Sequence, residues 1–400
     1  MHDGGAAPLN RARTGLSSGD SRSPAPKLVE MSQLPPTVAR VEAFCRAYGL
    51  AVPILLAPMA GACPPSLSIA VGRAGGLGAC GALLLQPDAI EAWVSEVRAG
   101  GEGGFQLNLW VPDPAPARDA AAEDAVRAFL RRWGPEVARD AGDARPPDFA
   151  AQCEAVLEAR PTAISSIMGL FPRAFVDRMK ARGVRWLATA TTVTEARAAV
   201  DAGADAIVAQ GMEAGGHRGA FDPARADVDL VGLFALVPAI VDAVSVPVIA
   251  AGGIADARGV AAALILGASA VQIGTGFLRC PEAKLPRAWA DALGRSLPEH
   301  TRVTRAFSGR AGRSLATAYV QAAAGVDAPP PAPYPVQRGL SQAMRDEAMK
   351  NGDLDRMQAW AGQSAALSPE RPAAERVREL WQGALEGWCL SPEPFTIGDA

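Results

Sequence analysis

Short apolar runs alternate with segments of helical spacing along most of the chain. Val52-Pro53-Ile54-Leu55-Leu56-Ala57, the glycine-containing unit from Gly76 to Leu85, and Phe105-Gln106-Leu107-Asn108-Leu109 are the first three runs. Ala163–Ile167, Val184–Ala188, Ala206–Ala209, Pro247–Ala250 and Ala270–Ile273 are the other five. Such brief, nearly continuous apolar stretches suit strands buried on both faces of a parallel sheet. The intervening segments repeat apolar residues at helical spacing, as in Pro65–Arg73, Ala89–Arg98, Thr194–Asp201, Leu230–Ala243 and Ala257–Leu266. Strand–helix alternation requires a parallel sheet covered by helices. Eight units over about 230 residues predict an α/β fold, a closed (β/α)8 TIM barrel across 36–280. A doubly wound open sheet is the alternative. The cluster Gly72, Gly75, Gly76 and Gly78 does little for it, because it follows a helix instead of a first strand, and no acidic residue ends the next one.

Outside the repeat the pattern changes. Residues 1–35 are rich in Gly, Ser, Ala and Pro without periodicity, and such a segment is expected to be a disordered tail. Residues 111–150 form a Pro-, Ala- and charge-rich helical insertion, longer than a simple connection needs. After residue 280, Pro329-Pro330-Pro331, Pro333 and Pro335 predict a stiff extended linker. Residues 337–361 and 370–387 read as amphipathic helices, so 281–400 is expected to form a smaller, mainly helical cap or substrate domain. Composition narrows the function classes. With 49% apolar residues and a formal net charge of −3, the chain has core enough for a large domain and no global attraction to nucleic acid or anionic lipid. Six scattered cysteines without a C-x-x-C predict reduced thiols and no metal site. The apolar run Leu230 to Val241 is too short to span a bilayer, and the expected location is cytoplasmic.

The candidate chemistry gathers at the predicted strand ends. Catalytic groups of a barrel come from the rim at its strand C-termini. Strand one ends in Pro58-Met59-Ala60-Gly61, strand three in Asn108, and strand six in Gln210 followed by Gly211-Met212-Glu213-Ala214-Gly215-Gly216-His217-Arg218-Gly219. Strands seven and eight end in Gly252-Gly253 and Gly274-Thr275. Paired glycine loops there are a common barrel device for gripping phosphate with main-chain amides. Thr275 adds a hydroxyl donor. A phosphate grip, side-chain amides able to meet both donors and acceptors of a heteroaromatic ring, and few carboxylates suggest FMN. His217 is the candidate acid or base, since imidazole titrates near neutrality. Glu213 could tune it, and Arg310 and Arg313 could reach an anionic substrate or be solvated. His300 sits in a polar turn and is assigned to the surface.

Taken together, Pro58–Gly61, Ala74–Gly78, Asn108, Ser165–Gly169, Gln210 with Ala214–Gly219, Ala251–Ile254, Gln272–Thr275, Thr304–Gly309 and Trp360–Gln363 resemble the nitronate monooxygenase family, also called 2-nitropropane dioxygenases. The resemblance runs in order from about residue 50 to 367. It implies FMN along Pro58, Met59 and Ala60, with Asn108 and Gln210 on the polar ring atoms. Gly215, Gly253, Gln272, Gly274 and Thr275 would hold the ribityl phosphate, and Gly216 and Gly252 would also belong to the cofactor site. His217 would be the catalytic base and Ser308 would stand on the substrate side. The implied reaction is oxidation of alkyl nitronates or nitroalkanes by O2 to carbonyl compounds and nitrite, in a monomer or homodimer. A related FMN-dependent NAD(P)H enoyl-thioester reductase and a non-catalytic flavin-binding barrel are the alternatives. Ala62-Cys63-Pro64-Pro65 departs from the hydroxyl-rich run of many family members, which alters the inner wall of the pocket.

Overall fold

The computed structural model describes Met1 and residues 36–388, so the predicted N-terminal tail lies outside the described residues apart from Met1. Its center is a sheet of eight parallel strands. They are β1 (Ile54–Leu56), β2 (Gly78–Gly81), β3 (Phe105–Trp110), β4 (Ala163–Ile167), β5 (Arg185–Ala190), β6 (Ala206–Gln210), β8 (Val248–Ala251) and β9 (Ala270–Ile273). Each strand pairs with the next around the ring, and β9 returns to β1 with Ile54 opposite Val271. A parallel bridge between Leu55 and Leu77 joins the first two units, with Leu56 N donating to Leu77 O at 2.8 Å. The ring therefore closes as a TIM barrel.

Local chemistry explains where the covering helices start. Thr192 accepts from Glu195 N ahead of the helix Val193–Asp201, and Asp256 accepts from Gly259 N ahead of Ala257–Ile265. Each satisfies an amide that the first helical turn cannot pair internally. The helix Pro36–Tyr48 plugs one end of the barrel: Phe44 and Tyr48 pack with Ala163, Ala206 and Ala270, the first residues of β4, β6 and β9. That end is therefore sealed, and the opposite rim, at the strand C-termini, is left for a site.

The segment after 280 differs from a simple helical cap. The helix Ala373–Trp388 lies on the barrel wall, where Ala373, Val377, Leu380 and Ala384 form one apolar stripe in the main core. Residues 337–361 are only partly helical, as Val336–Leu340 and Gln342–Asn351. Two short strands after residue 280, without a strong apolar period, pair with a third from the rim loop after β6. β7 (Gly216–His217), β10 (Thr301–Thr304) and β11 (Gly312–Leu315) form a small antiparallel sheet in the order β10-β11-β7. Pairing between backbones of Gly312 and His217 supplies that order, and side-chain patterning does not encode it. The insertion folds as the helix Ala120–Leu130 and a short turn, Ala141–Asp143. It packs with the post-280 segment in a second core built on Phe129, Leu130, Phe307, Tyr319 and Leu340. The predicted proline linker is part of this body: Ala332 is buried in its core. Among the described residues no helix is long and apolar enough to cross a membrane.

Candidate active site

The rim loops enclose a cavity of about 340 Å3. Pro58, Met59, Ala60, Asn108, Gln210, Gly215, Gly216, His217, Gly252, Gly253, Gln272, Gly274 and Thr275 all line it, so loops distant in sequence meet in one space. Gly215 shows why one of these positions excludes a side chain. A Cβ there would lie 2.5 Å from Gly362 N and 2.9 Å from Thr275 Oγ1. Thr275 Oγ1 itself accepts from Gly362 N at 3.0 Å, tying the rim to the post-280 segment.

Three amide side chains have orientations forced by their partners. Asn108 donates both Nδ2 hydrogens, to Ser165 O at 3.2 Å and Ser165 Oγ at 3.0 Å, which leaves Oδ1 as a free acceptor. Gln106 Nε2 donates to Leu56 O and to Gln272 Oε1, at 3.1 and 3.0 Å, which leaves Gln272 with its Nε2 donors free. Gln210 Oε1 accepts from Gly219 N at 2.8 Å and from Arg218 Nη1 at 3.2 Å, while its Nε2 donates to His217 O at 3.1 Å. One N–H of Gln210 remains. The cavity thus offers an acceptor and several donors at fixed places, beside a glycine-lined end with a hydroxyl. A planar heterocycle bearing both kinds of polar edge and a phosphate tail fits that donor set.

His217 is fixed from both directions along the chain. Its backbone pairs with Gly312, and Arg218 N donates to Ala311 O at 2.9 Å. The ring is held between Trp110 and Trp360, with centroids at 4.7 and 4.8 Å. Nε2 lies 2.8 Å from Ser308 Oγ. Ser308 Oγ also contacts Arg310 O at 3.2 Å, an atom that can only accept. If Nε2–H donates to Ser308 and the serine proton goes to Arg310 O, every bond is satisfied and Nδ1 keeps the free lone pair. Burial among the aromatic walls, then the charges of Arg338, Arg310 and Arg345, push the imidazole pKa down to about 3. His217 is therefore neutral near pH 7.

Several expectations change. Ser308 does not line the cavity; it is buried behind the imidazole, with 1% of its surface exposed. The reason is β11, which brings residues 308–312 against the back of His217 instead of across from it. Arg310 and Arg313 are neither solvated nor turned to a ligand. Arg310 Nη2 donates to Ala220 O and its Nε lies 3.4 Å from Asp113, while Arg313 donates to Met212 O and Thr301 Oγ1. Glu213 accepts from Leu233 N at 2.9 Å and so caps the helix Leu233–Val241. His300 is exposed, as expected.

Trp110, Trp360, Arg338 and Arg345 also line the cavity; Trp360 belongs to a motif singled out in the sequence without a role, and the other three were not singled out at all. Trp110 was within reach: it is the last residue of β3, one position past the predicted end. The other three lie beyond residue 330 and reach the rim only through tertiary folding. Tyr334 stacks on Trp110 at 4.8 Å and lines a wider outer groove of about 910 Å3, with Leu84 and Arg338 bordering both spaces.

The profile of the nitronate monooxygenase family matches residues 45–383. A protein of Pseudomonas aeruginosa named nitronate monooxygenase is 40% identical over 351 residues, covering 84% of this chain and 97% of its own. The crystal structure of nitroalkane oxidase from Streptomyces ansochromogenes superposes with a TM-score of 0.79 at 34% identity, covering 86% of this chain and 99% of its own. FabK from Thermotoga maritima superposes with a TM-score of 0.67 at 27% identity, over 86% of this chain and 96% of that one.

Proposed function

The chain belongs to the nitronate monooxygenase family, and from that membership we propose that it binds FMN and oxidises alkyl nitronates with O2 to carbonyl compounds and nitrite. The observation that carries this reading is the meeting of one neutral histidine with three oriented amides in a single cavity. Bound FMN supplies the electron acceptor and the reaction with O2 that side chains lack. Everything else is work for the chain itself.

In this reading Asn108 Oδ1 would accept from the flavin ring's polar edge, and the free N–H groups of Gln210 and of Gln272, which the resemblance had assigned to the phosphate, would donate to the cofactor. Pro58, Met59 and Ala60 flank the ring, an apolar wall without competing donors. Main-chain amides around Gly215, Gly216, Gly252, Gly253 and Gly274, with Thr275 Oγ1, would hold the phosphate. Trp110 and Trp360 exclude water from the imidazole, which strengthens every electrostatic contact nearby. His217 Nδ1 takes a proton from the carbon of a neutral nitroalkane, or holds the nitronate in place when the substrate arrives already deprotonated. Ser308 keeps the ring in the tautomer that presents Nδ1.

The test is direct. Purified protein should be yellow and release nitrite from propyl-1-nitronate or propionate 3-nitronate in air without NAD(P)H. No nitrite from any nitronate, together with NADPH oxidation driven by an enoyl thioester, would replace this reading with the reductase.

A further inference from the structure

The inner cavity is lined by two arginines, Arg338 and Arg345, and by no aspartate or glutamate among the described residues. Arg345 is fully engaged: it donates to Ser341 Oγ, Gln358 Oε1, Arg338 O and Gln342 Oε1 at 2.6 to 3.1 Å. Arg310, the third cation acting on His217, does not line the cavity; its Nη2 donates to Ala220 O and its Nε lies 3.4 Å from Asp113. Arg338 is different. Its guanidinium makes no hydrogen bond and no ion pair among the described residues, although burial opposes its charge. Asp346, the carboxylate that acts on it from a distance, is hydrogen-bonded to Gln342 Nε2 at 2.6 Å. None of the Arg338 nitrogens is both buried and unpartnered, so the guanidinium is open to the solvent-filled cavity, and five N–H donors in a planar fork match a planar two-oxygen anion.

We propose that Arg338 is the anion anchor of this site: its guanidinium pairs with the negatively charged group of the substrate, so that the cavity takes the nitronate anion in preference to the neutral nitroalkane. The proposal rests on the reading of this cavity as a nitronate site and deepens it. Arg338 borders both the inner cavity and the outer groove, where an entering anion meets it first. Its charge is also the largest of those opposing protonation of His217. A neutral nitroalkane must therefore deliver its proton to a base that three cations disfavour charging. A preformed nitronate avoids that step and gains a charge-assisted pair on binding.

Arg338→Gln and Arg338→Lys test this, with bound FMN content and circular dichroism as controls on folding. Butyrate serves as an unreactive probe, because its carboxylate is a planar two-oxygen monoanion shaped like that of propyl-1-nitronate. Its binding is read by thermal shift and tryptophan fluorescence, independently of turnover. Arg338→Gln is expected to raise the butyrate Kd and the propyl-1-nitronate KM by roughly ten- to hundredfold. The kcat should change by no more than about threefold, and kcat/KM for neutral 1-nitropropane should change far less than for the nitronate. Arg338→Lys should restore part of the loss. Equal losses on nitronate and nitroalkane with butyrate binding intact would make Arg338 a packing residue and overturn the proposal. Arg338→Gln protein that is folded but free of FMN would assign the side chain to the cofactor and overturn it too. Arg338-dependent butyrate binding in a protein inert to every nitronate would uphold the anchor and defeat the proposed reaction instead.

Discussion

Replacing His217 by Asn isolates the titration of one buried imidazole. In the fold its pKa lies at about 3, whereas an unfolded chain leaves it near the ordinary 6.5. The unfolded state therefore binds one more proton between those values, and stability must rise with pH there. The contribution is fully present above about pH 6.5 and is lost as pH falls toward 3. Its slope is about 1.4 kcal/mol per pH unit, so about 2 kcal/mol disappears between pH 7 and pH 5. Asn cannot titrate, and its shorter amide gives up the Nε2 contact with Ser308, a loss that does not depend on pH and so leaves the slope unaffected. Urea unfolding of both proteins at pH 7, 6 and 5 gives the difference directly, since carboxylates such as Asp113, whose pKa burial raises, are common to both and cancel. The wild type should lose about 2 kcal/mol more than His217→Asn across that range. Parallel stability curves, or an imidazole that titrates near 6.5 by NMR in the folded protein, would refute the account of burial and flanking arginines.

Gly215→Ala should lower the bound FMN fraction and the Tm together, at a stability cost of about 1–3 kcal/mol, because the neighbours of the new methyl are main-chain atoms of 361–362 and cannot rotate away; protein content and flavin absorbance after purification check it. Ser308→Ala should cost about 0.5–1.5 kcal/mol in unfolding free energy and lower kcat more than it raises KM, with Ser308→Thr recovering part, since the hydroxyl orients the imidazole and does not line the cavity. Trp110→Leu should open the imidazole to water and raise its pKa toward 6.5, read from the 13C or 15N shifts of His217.

The barrel was legible because its strands are short and mostly apolar and alternate with helices, several of which begin at a capping Thr or Asp, all of it local information. The helix Pro65–Arg73 and the strands Ala163–Ile167 and Ala270–Ile273 fall where the apolar pattern puts them. The rim residues followed from the barrel alone, because strand C-termini converge whatever the loops do. The small sheet did not. β7, β10 and β11 are two to four residues each, with Arg and Thr among them, and they exist because backbones from 216 and 312 find each other.

The chain's own pattern thus determined the repeating unit, the closed barrel and the end of it at which His217, Asn108, Gln210 and the glycine loops would meet. Tertiary folding alone decided what surrounds the histidine: two tryptophans 250 residues apart in sequence, a serine behind the ring instead of before it, and an arginine at the cavity mouth that has no partner among the described residues. The physical reason is range. Strand and helix preferences are set within a few residues, whereas burial, charge balance and the basicity of an imidazole depend on every group that packs against it, however far away in the chain.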